Sequence, residues 1–366
     1  MPDIRANLPK KGRGVITNPS GRHEPLQRLA IDDGWALEED DIAPLRTTVT
    51  DEACRSAITY NRSPDLPFDR SINPYRGCEH GCAYCFARPS HAHMGLSPGL
   101  DFESRLFAKP DIARVLEREL EKQAYACQPI ALGTNTDPYQ PIERQYGLMR
   151  QILEVLAAFN HPITIVTKSA LVVRDLDILG PMAARGLVSV AVSVTTLKRE
   201  LSRKLEPRAP TPEKRLATIG ALSDAGIPVS IFAAPMIPAL NDMELESIIA
   251  AGRTAGATSA VYSLLKLPYE LKDLFSEWLN EYAPGRASHV LSLLSQSRGG
   301  DLNDSRFGVR MTGTGTLADL LSKRFRLACK RVAMDAIGAR TEPGTLGLDC
   351  TQFKAPPKAG QQMALF

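Results

Sequence analysis

The chain has 366 residues, a formal net charge of +3, and 43% apolar and 23% charged residues. That balance belongs to one large globular domain or two ordinary ones, and it excludes a disordered polyelectrolyte. No run of about 18 apolar residues occurs, which excludes a transmembrane helix. The opening MPDIRANLPKKGRG lacks the apolar core of a secretory signal, so a cytoplasmic location without a membrane partner is expected.

Residues 1–70 are rich in Pro, Asn, Arg and Asp and lack sustained periodicity, which predicts an irregular N-terminal extension. Its first thirty residues carry six Lys/Arg against Asp3 and Glu24, a composition read as a solvated arm or a nucleic-acid contact. From Ile72 onward, short β-branched runs alternate with amphipathic stretches. Strands are expected at Ile72–Arg76, Pro129–Gly133, Ile163–Thr167, Val188–Val194, Pro228–Ala233 and Ser259–Leu264. Helices are expected near 110–124, 143–159, 171–185, 211–225, 242–255 and 270–282, with Thr211-Pro212 as a start signal and Ala225-Gly226 as a stop.

Strands alternating with helices of this length make βα units and a parallel sheet. Six units fit between residues 71 and 283, too few for a closed eight-unit barrel and suited to an open α/β partial barrel. Residues 284–340 predict a helical C-terminal region. In it, a helix over 317–335 would bury Leu321, Phe325, Ala328 and Val332 and turn Lys323, Arg326 and Lys330 to solvent. Residues 341–366 read as a flexible tail.

Seven cysteines in a chain of this kind are expected to be reduced. Cys54, Cys127, Cys329 and Cys350 are scattered, whereas Cys78, Cys82 and Cys85 fall within eight residues just past the first expected strand. Thiolates are soft ligands suited to iron–sulfur clusters or zinc. Three on one loop can hold three corners of a cubane and leave the fourth iron open for chemistry, where a closed site would be structural. The alternative is zinc with His80, His91 or His93 as a further ligand, although no second cysteine pair follows.

The C-x3-C-x2-C motif, with Tyr84 before its last cysteine and six βα units behind it, resembles the radical S-adenosylmethionine (SAM) superfamily. The stretches SINPYRGCEHGCAYCFARPSH, ALGTNTDPYQPIER, IVTKS, LEPRAPTP and APMIPALND resemble a group of spore-photoproduct-lyase-like radical proteins, over roughly residues 12–340. The resemblance implies a partial (β/α)6 barrel and a [4Fe–4S] cluster on Cys78, Cys82 and Cys85 whose open iron chelates S-adenosylmethionine. An electron, from a donor such as flavodoxin or ferredoxin, would cleave the cofactor to a 5′-deoxyadenosyl radical that abstracts hydrogen from substrate.

Active sites of parallel βα barrels lie at the carboxyl ends of the strands. Thr134 and Thr136 would there meet the cofactor's ammonium, the alternative being an Asx-type turn at Asp137-Pro138. By the same resemblance Lys168 would pair with the cofactor carboxylate and Ser193 would bond its ribose. Tyr84 would pack on the adenine edge, and Pro235 to Ile237 would form an apolar floor. Arg208 suits carboxylate or phosphate recognition, or else an ion pair with Glu206.

The lyase itself carries a hydrogen-donating cysteine where this chain has Thr134, and a tyrosine where it has Phe86, while Thr136 and Asp137 are kept. A threonine hydroxyl and a phenyl ring are poor hydrogen-atom donors, so the standard lyase reaction is not expected. Tyr139 and Asp137 are candidate catalytic groups, and Tyr84 and Cys127 are further stations for a hydrogen path. The leading expectation is a radical enzyme acting on DNA or RNA, at a modified or damaged base, as in DNA repair. A radical enzyme for a protein side chain or metabolite, and a non-catalytic electron-transfer or redox-sensing protein, are the alternatives. The ending Gln362-Met363-Ala364-Leu365-Phe366 resembles the short peptide by which bacterial DNA-handling proteins bind the replication sliding clamp, with Gln362, Leu365 and Phe366 as contacts.

Overall fold

The structure, a computed structural model, describes residues 10–24, 45–337 and 347–356. The clamp-like residues Gln362, Leu365 and Phe366 lie outside the described residues. The strands are β1 (Thr48–Asp51), β2 (Ile58–Tyr60), β3 (Arg70–Ile72), β4 (Tyr75–Arg76), β5 (Arg105–Ala108), β6 (Ile130–Leu132), β7 (Ile163–Thr167), β8 (Val188–Ser193), β9 (Val229–Met236), β10 (Ser259–Leu264) and β11 (Asp335–Ala336).

An open eight-stranded sheet runs β11-β10-β9-β8-β7-β6-β3-β2. From β3 to β10 its six strands are parallel and in chain order; β2 closes one edge antiparallel, and β11 extends the other in parallel. Helices Ile112–Leu120, Leu148–Ala158, Leu176–Ala183, Pro212–Asp224 and Leu245–Thr254 fill the successive crossovers. This is the expected open (β/α)6 arrangement.

Burial alternates along the strands. Ile163, Ile165, Val188, Val190, Val192 and Ile231 are fully buried and share one core with the helical Leu153, Leu179, Leu222 and Ile248. Their neighbours Thr164, Val166, Ser189, Ala191 and Phe232 are only half-buried. One face of the sheet is therefore sealed by helices, while the other borders the open side of the barrel, unlike the strands of a sheet covered on both faces.

Three local expectations are corrected. The first strand does not run Ile72–Arg76: β3 ends at Ile72, and β4 turns off to pair with β5 in a second sheet ordered β1-β5-β4. Pro74 between them has no N–H to continue the ladder. The helix expected over 143–159 breaks at Gly147, whose φ of 62° ends Glu143–Tyr146 before Leu148–Ala158 begins. The helix expected over 171–185 starts as a 3₁₀ turn, Ala170–Asp175, where the Ser169 hydroxyl accepts from Leu171 N at 3.2 Å. The Thr211 cap is present, accepting from Lys214 N at 3.4 Å with Pro212 following.

After β10 come helices Leu271–Tyr282, Ala287–Gln296 and Gly315–Arg331. The last buries Leu321, Phe325 and Ala328 and leaves Lys323, Arg326 and Lys330 exposed. Among the described residues no helix is long and apolar enough to cross a membrane. Residues 347–356 are held at the amino ends of the strands, where Phe353 packs on Tyr125, Phe159 and His161, and Lys354 N donates to Phe159 O at 3.0 Å. There Cys127 and Cys350, 223 positions apart, lie close enough for each thiol to shift the titration of the other. Cys127 precedes β6, at the end of the sheet away from the cysteine loop, so it is removed as a station on a hydrogen path.

Candidate active site

The cysteine loop leaves β4 and crosses the carboxyl ends of the parallel strands. Gly77 and Gly81, at φ 75° and 65°, allow its two reversals. Backbone and side-chain bonds hold it from every side. Cys78 N donates to Phe102 O (3.0 Å), Ala83 N to Leu205 O (2.9 Å), and Glu79 N to Gln140 Oε1 (2.8 Å). The fully buried Arg88 donates to Cys82 O at 2.9 Å and pairs with the equally buried Glu103 at 2.9 Å.

Residues 10–24 hold no helix or strand and form a strap across this loop, whereas the stretch 45–70, expected to be irregular, carries β1 and β2. Gly14 N donates to Glu103 Oε2 at 2.8 Å, and Arg13 Nη1 to Glu103 O at 2.6 Å. Its backbone lies so close that a Cβ on Gly14 would sit 1.5 Å from Gly81 O.

Cys78 and Cys82 are buried and Cys85 nearly so. Burial pushes the Cys78 thiol well up, with Asp137 and the other two cysteines adding to the rise. Burial likewise raises Cys82 to about 12 although Lys168 opposes it, and raises Cys85. Backbone donors already face two of the sulfurs: Asp137 toward Cys78, and Ala87 and Arg88 toward Cys85. Three mutually interacting, largely buried thiols, two of them with backbone donors nearby, are arranged to become thiolates on a bound cationic group, and they fit an iron–sulfur cluster.

A single zinc ion fits poorly. Among the described residues no three His, Cys, Asp or Glu side chains form a group that could hold one ion. The histidines are used elsewhere. His80 Nδ1 sits 3.4 Å from Asp137 Oδ2, His91 Nε2 lies 3.0 Å from Arg105 O against the Phe102 ring, and His93 faces Arg22.

The strand ends bring most of the expected residues together. Lys168, just past β7, places Nζ 5.8 Å from the centre of the Tyr84 ring and makes no ion pair among the described residues, although its charge helps lower the Glu206 carboxyl. Ser193 ends β8, buried; its carbonyl accepts from Arg215 at 3.1 Å while its hydroxyl has no hydrogen-bond partner among the described residues. Thr134 is half-buried. Thr136 is buried and donates to Tyr75 O at 3.1 Å, leaving its oxygen an acceptor.

Asp137 is both an Asx turn and a brace. It accepts from Tyr139 N (3.0 Å), Thr167 Oγ1 (2.7 Å) and Lys168 N (2.7 Å), tying the β6 and β7 ends to His80. Burial alone would raise its carboxyl, but His80 and these donors hold it at about 2. Tyr139 is not brought to the cysteines: it is buried and its hydroxyl donates to Asp175 at 3.1 Å.

Two placements differ from the expected partners. Arg208 pairs with Glu79 of the cysteine loop at 2.7 Å, not with Glu206. Glu206 is fully buried and takes bonds from Arg215, the Tyr84 hydroxyl and Thr195 Oγ1 (2.7 Å). Burial opposes its ionisation, yet the Arg215 guanidinium beside it keeps the carboxyl well below the ordinary range. Sequence reasoning missed the Glu206–Arg215 pair as a support of the cysteine loop. The LEPRAPTP stretch held half the signal, because Pro207 and Pro210 on either side of Arg208 mark a fixed chain reversal.

The family model of the Radical SAM superfamily matches residues 72–251. The chain belongs to the radical SAM superfamily. An uncharacterized protein of Mycobacterium tuberculosis is 40% identical over 245 residues, covering 66% of this chain and 72% of its own length. One of Methanocaldococcus jannaschii is 30% identical over 173 residues, covering 47% of this chain and 62% of its own. Among solved structures, a mutant spore photoproduct lyase superposes with a TM-score of 0.58 at 15% identity, covering 79% of this chain and 81% of its own. Another such mutant, with the same values, was solved with bound AdoMet and dinucleoside spore photoproduct. At that identity the likeness is one of fold. The superfamily implies a [4Fe–4S] cluster and S-adenosylmethionine, which the buried cysteine loop suits.

Proposed function

We propose that this chain is a radical SAM enzyme acting on nucleic acid, at a modified or damaged base, by a route other than the standard lyase reaction. When bound, a [4Fe–4S] cluster and S-adenosylmethionine supply a carbon-centred radical that takes a hydrogen atom from substrate. Cys78, Cys82 and Cys85 would hold the cluster. The observation that carries the reading is the unpaired Lys168 ammonium beside those cysteines, over Tyr84, at the carboxyl end of a parallel strand. A cation so placed binds an anionic group by a charge-assisted bond, as the cofactor carboxylate offers. Thr134, Thr136 and Ser193 would add polar contacts to the ammonium and ribose, and Arg208 would stiffen the loop through Glu79. Tyr84, its hydroxyl held by Glu206 and Thr195, offers a fixed ring face.

The nucleic-acid part is supported by the fold shared with spore photoproduct lyase and by the exposed Lys323, Arg326 and Lys330. Thr134 and Phe86, in place of the lyase's cysteine and tyrosine, argue against its hydrogen return. The test is anaerobic. Reconstituted protein with reductant, S-adenosylmethionine and deuterated oligonucleotides is expected to move deuterium into 5′-deoxyadenosine. Stoichiometric zinc without iron, or no 5′-deoxyadenosine at all, would refute the enzyme reading, and efficient repair of spore photoproduct would refute the argument from Thr134.

A further inference from the structure

The mouth of the barrel carries a rim that none of the cofactor contacts uses. After β10 the chain runs Leu265-Lys266-Leu267 and is fixed by the loop that follows helix Ala287–Gln296: Leu264 N donates to Met311 O at 2.8 Å and Leu267 N to Leu302 O at 3.2 Å. Lys266 Nζ is thereby set 4.5 Å from the centre of the Phe86 ring, directly after cluster ligand Cys85, and 4.0 Å from Met311 Sδ. It forms no ion pair among the described residues, although the charge of Asp65 reaches it. Burial, and then Arg310 and Arg298, lower its ammonium to about 8.

Those arginines are committed. Arg310 is forked onto Asp65 at 2.6 and 2.8 Å. Arg298 spends its donors on the carbonyls of Leu264, Leu265, Val309 and Arg310. Arg310 and Lys266 thus lie near Asp65, and Lys266, whose only hydrogen-bond acceptor among the described residues is the weak thioether of Met311, has N–H donors left for a ligand.

Aromatic rings line the same rim. Phe86, Tyr269 and Phe307 are 47%, 64% and 58% exposed. Each has a cation on its face: Lys266, Arg22 at 4.3 Å and Arg310 at 5.0 Å, respectively; Arg22 is itself paired with Glu270 at 3.0 Å, as Arg310 is with Asp65, which leaves Lys266 as the cation without an ion pair among these three. Arg22 also reaches Pro89 O at 3.3 Å, which joins Tyr269 to the segment that begins at Phe86. Large exposed rings cost free energy in water when nothing covers them. Rings interleaved with cations are what single-stranded nucleic acid requires, with bases stacking on the rings and phosphates meeting the cations.

We propose that Phe86, Lys266, Tyr269 and Phe307 form the docking rim for a single strand of nucleic acid, with a base on the free face of Phe86 and a phosphate on Lys266. This rests on the nucleic-acid reading above and names the residues that deliver the strand to the cysteine loop. An unpaired or flipped-out nucleotide is also the form in which a radical centre can reach a base.

The test is fluorescence anisotropy of a labelled oligothymidylate with the full-length, anaerobically reconstituted chain, repeated across salt concentrations, with iron content read for each variant. Lys266→Met is expected to weaken binding on the order of tenfold and to lower the salt slope by about one, while Lys266→Arg stays near wild type. Phe86→Leu is expected to weaken binding on the order of tenfold with the slope unchanged. If wild type binds the strand while Lys266→Met and Phe86→Leu bind equally well, the rim is wrong and the nucleic-acid reading survives. If wild type binds no oligonucleotide, both fall. If a polyglutamate peptide competes as well as the oligonucleotide, the rim serves acidic protein and the proposal is overturned.

Discussion

Replacing Glu206 with Gln tests whether a buried charge pair supports the cysteine loop. The carboxylate is fully buried, and it accepts from the Arg215 guanidinium, the Tyr84 hydroxyl and Thr195 Oγ1. Glutamine keeps the shape but removes the charge, stranding an arginine that is itself only 1% exposed. Arg215 keeps its bonds to Pro210 O and Ser193 O, which solvate it only in part. Breaking one side of a buried ion pair costs about 3–5 kcal/mol, which in a chain of this size lowers the melting temperature by roughly 4–6 °C. Removing both charges leaves no stranded ion, so Glu206→Gln with Arg215→Met is expected to recover much of that loss. Thermal and urea unfolding of the metal-free protein measures the cycle. Because Tyr84 sits between Cys82 and Cys85, iron loading of the single variant is expected to fall as well. A loss below about 1 kcal/mol for Glu206→Gln, or a double variant worse than the single, would refute the reasoning.

Three further outcomes are expected. Gly14→Ala puts a methyl where Gly81 O already lies, so the strap must lift; a cost of about 1–3 kcal/mol and poorer iron retention, with unchanged far-UV circular dichroism, is expected. Lys168→Ala is expected to weaken S-adenosylmethionine binding roughly tenfold by equilibrium titration while the iron content holds; unchanged affinity would displace the cofactor from the β7 end. His161 is buried as a neutral ring between the Tyr125 hydroxyl (2.7 Å) and Pro162 O (3.0 Å), and burial lowers it from 6.5 to about 4. The unfolded ring takes a proton below about 6.5 and the folded one only below about 4, so its stability contribution is complete above pH 6.5 and declines as the pH falls toward 4. Melting temperatures of wild type and His161→Gln across that range check this, and parallel curves would remove His161 as the cause.

What the sequence determined is what short-range physics controls. Alternating β-branched runs and amphipathic stretches specify βα units, and six of them leave the barrel open. Three cysteines within eight residues specify that their thiols share one loop, whatever the rest of the chain does. Thr211-Pro212 specifies a helix start through a local hydrogen bond. Even here Pro74 and Gly147 mattered more than the apolar pattern around them, for a missing N–H and a left-handed backbone outweigh periodicity at a single residue. Tertiary structure decided which charge meets which. Arg208 took Glu79 and left Glu206 to Arg215, since the loop after β8 folds back under Tyr84 rather than out to solvent. The strap at Arg13 and Gly14, the meeting of Cys127 with Cys350, and the placing of Lys266 over Phe86 join segments 89, 223 and 180 positions apart. Composition and periodicity carry no term for such pairings, because they follow from where the ends of separate strands come to lie once the sheet has twisted and its helices have packed.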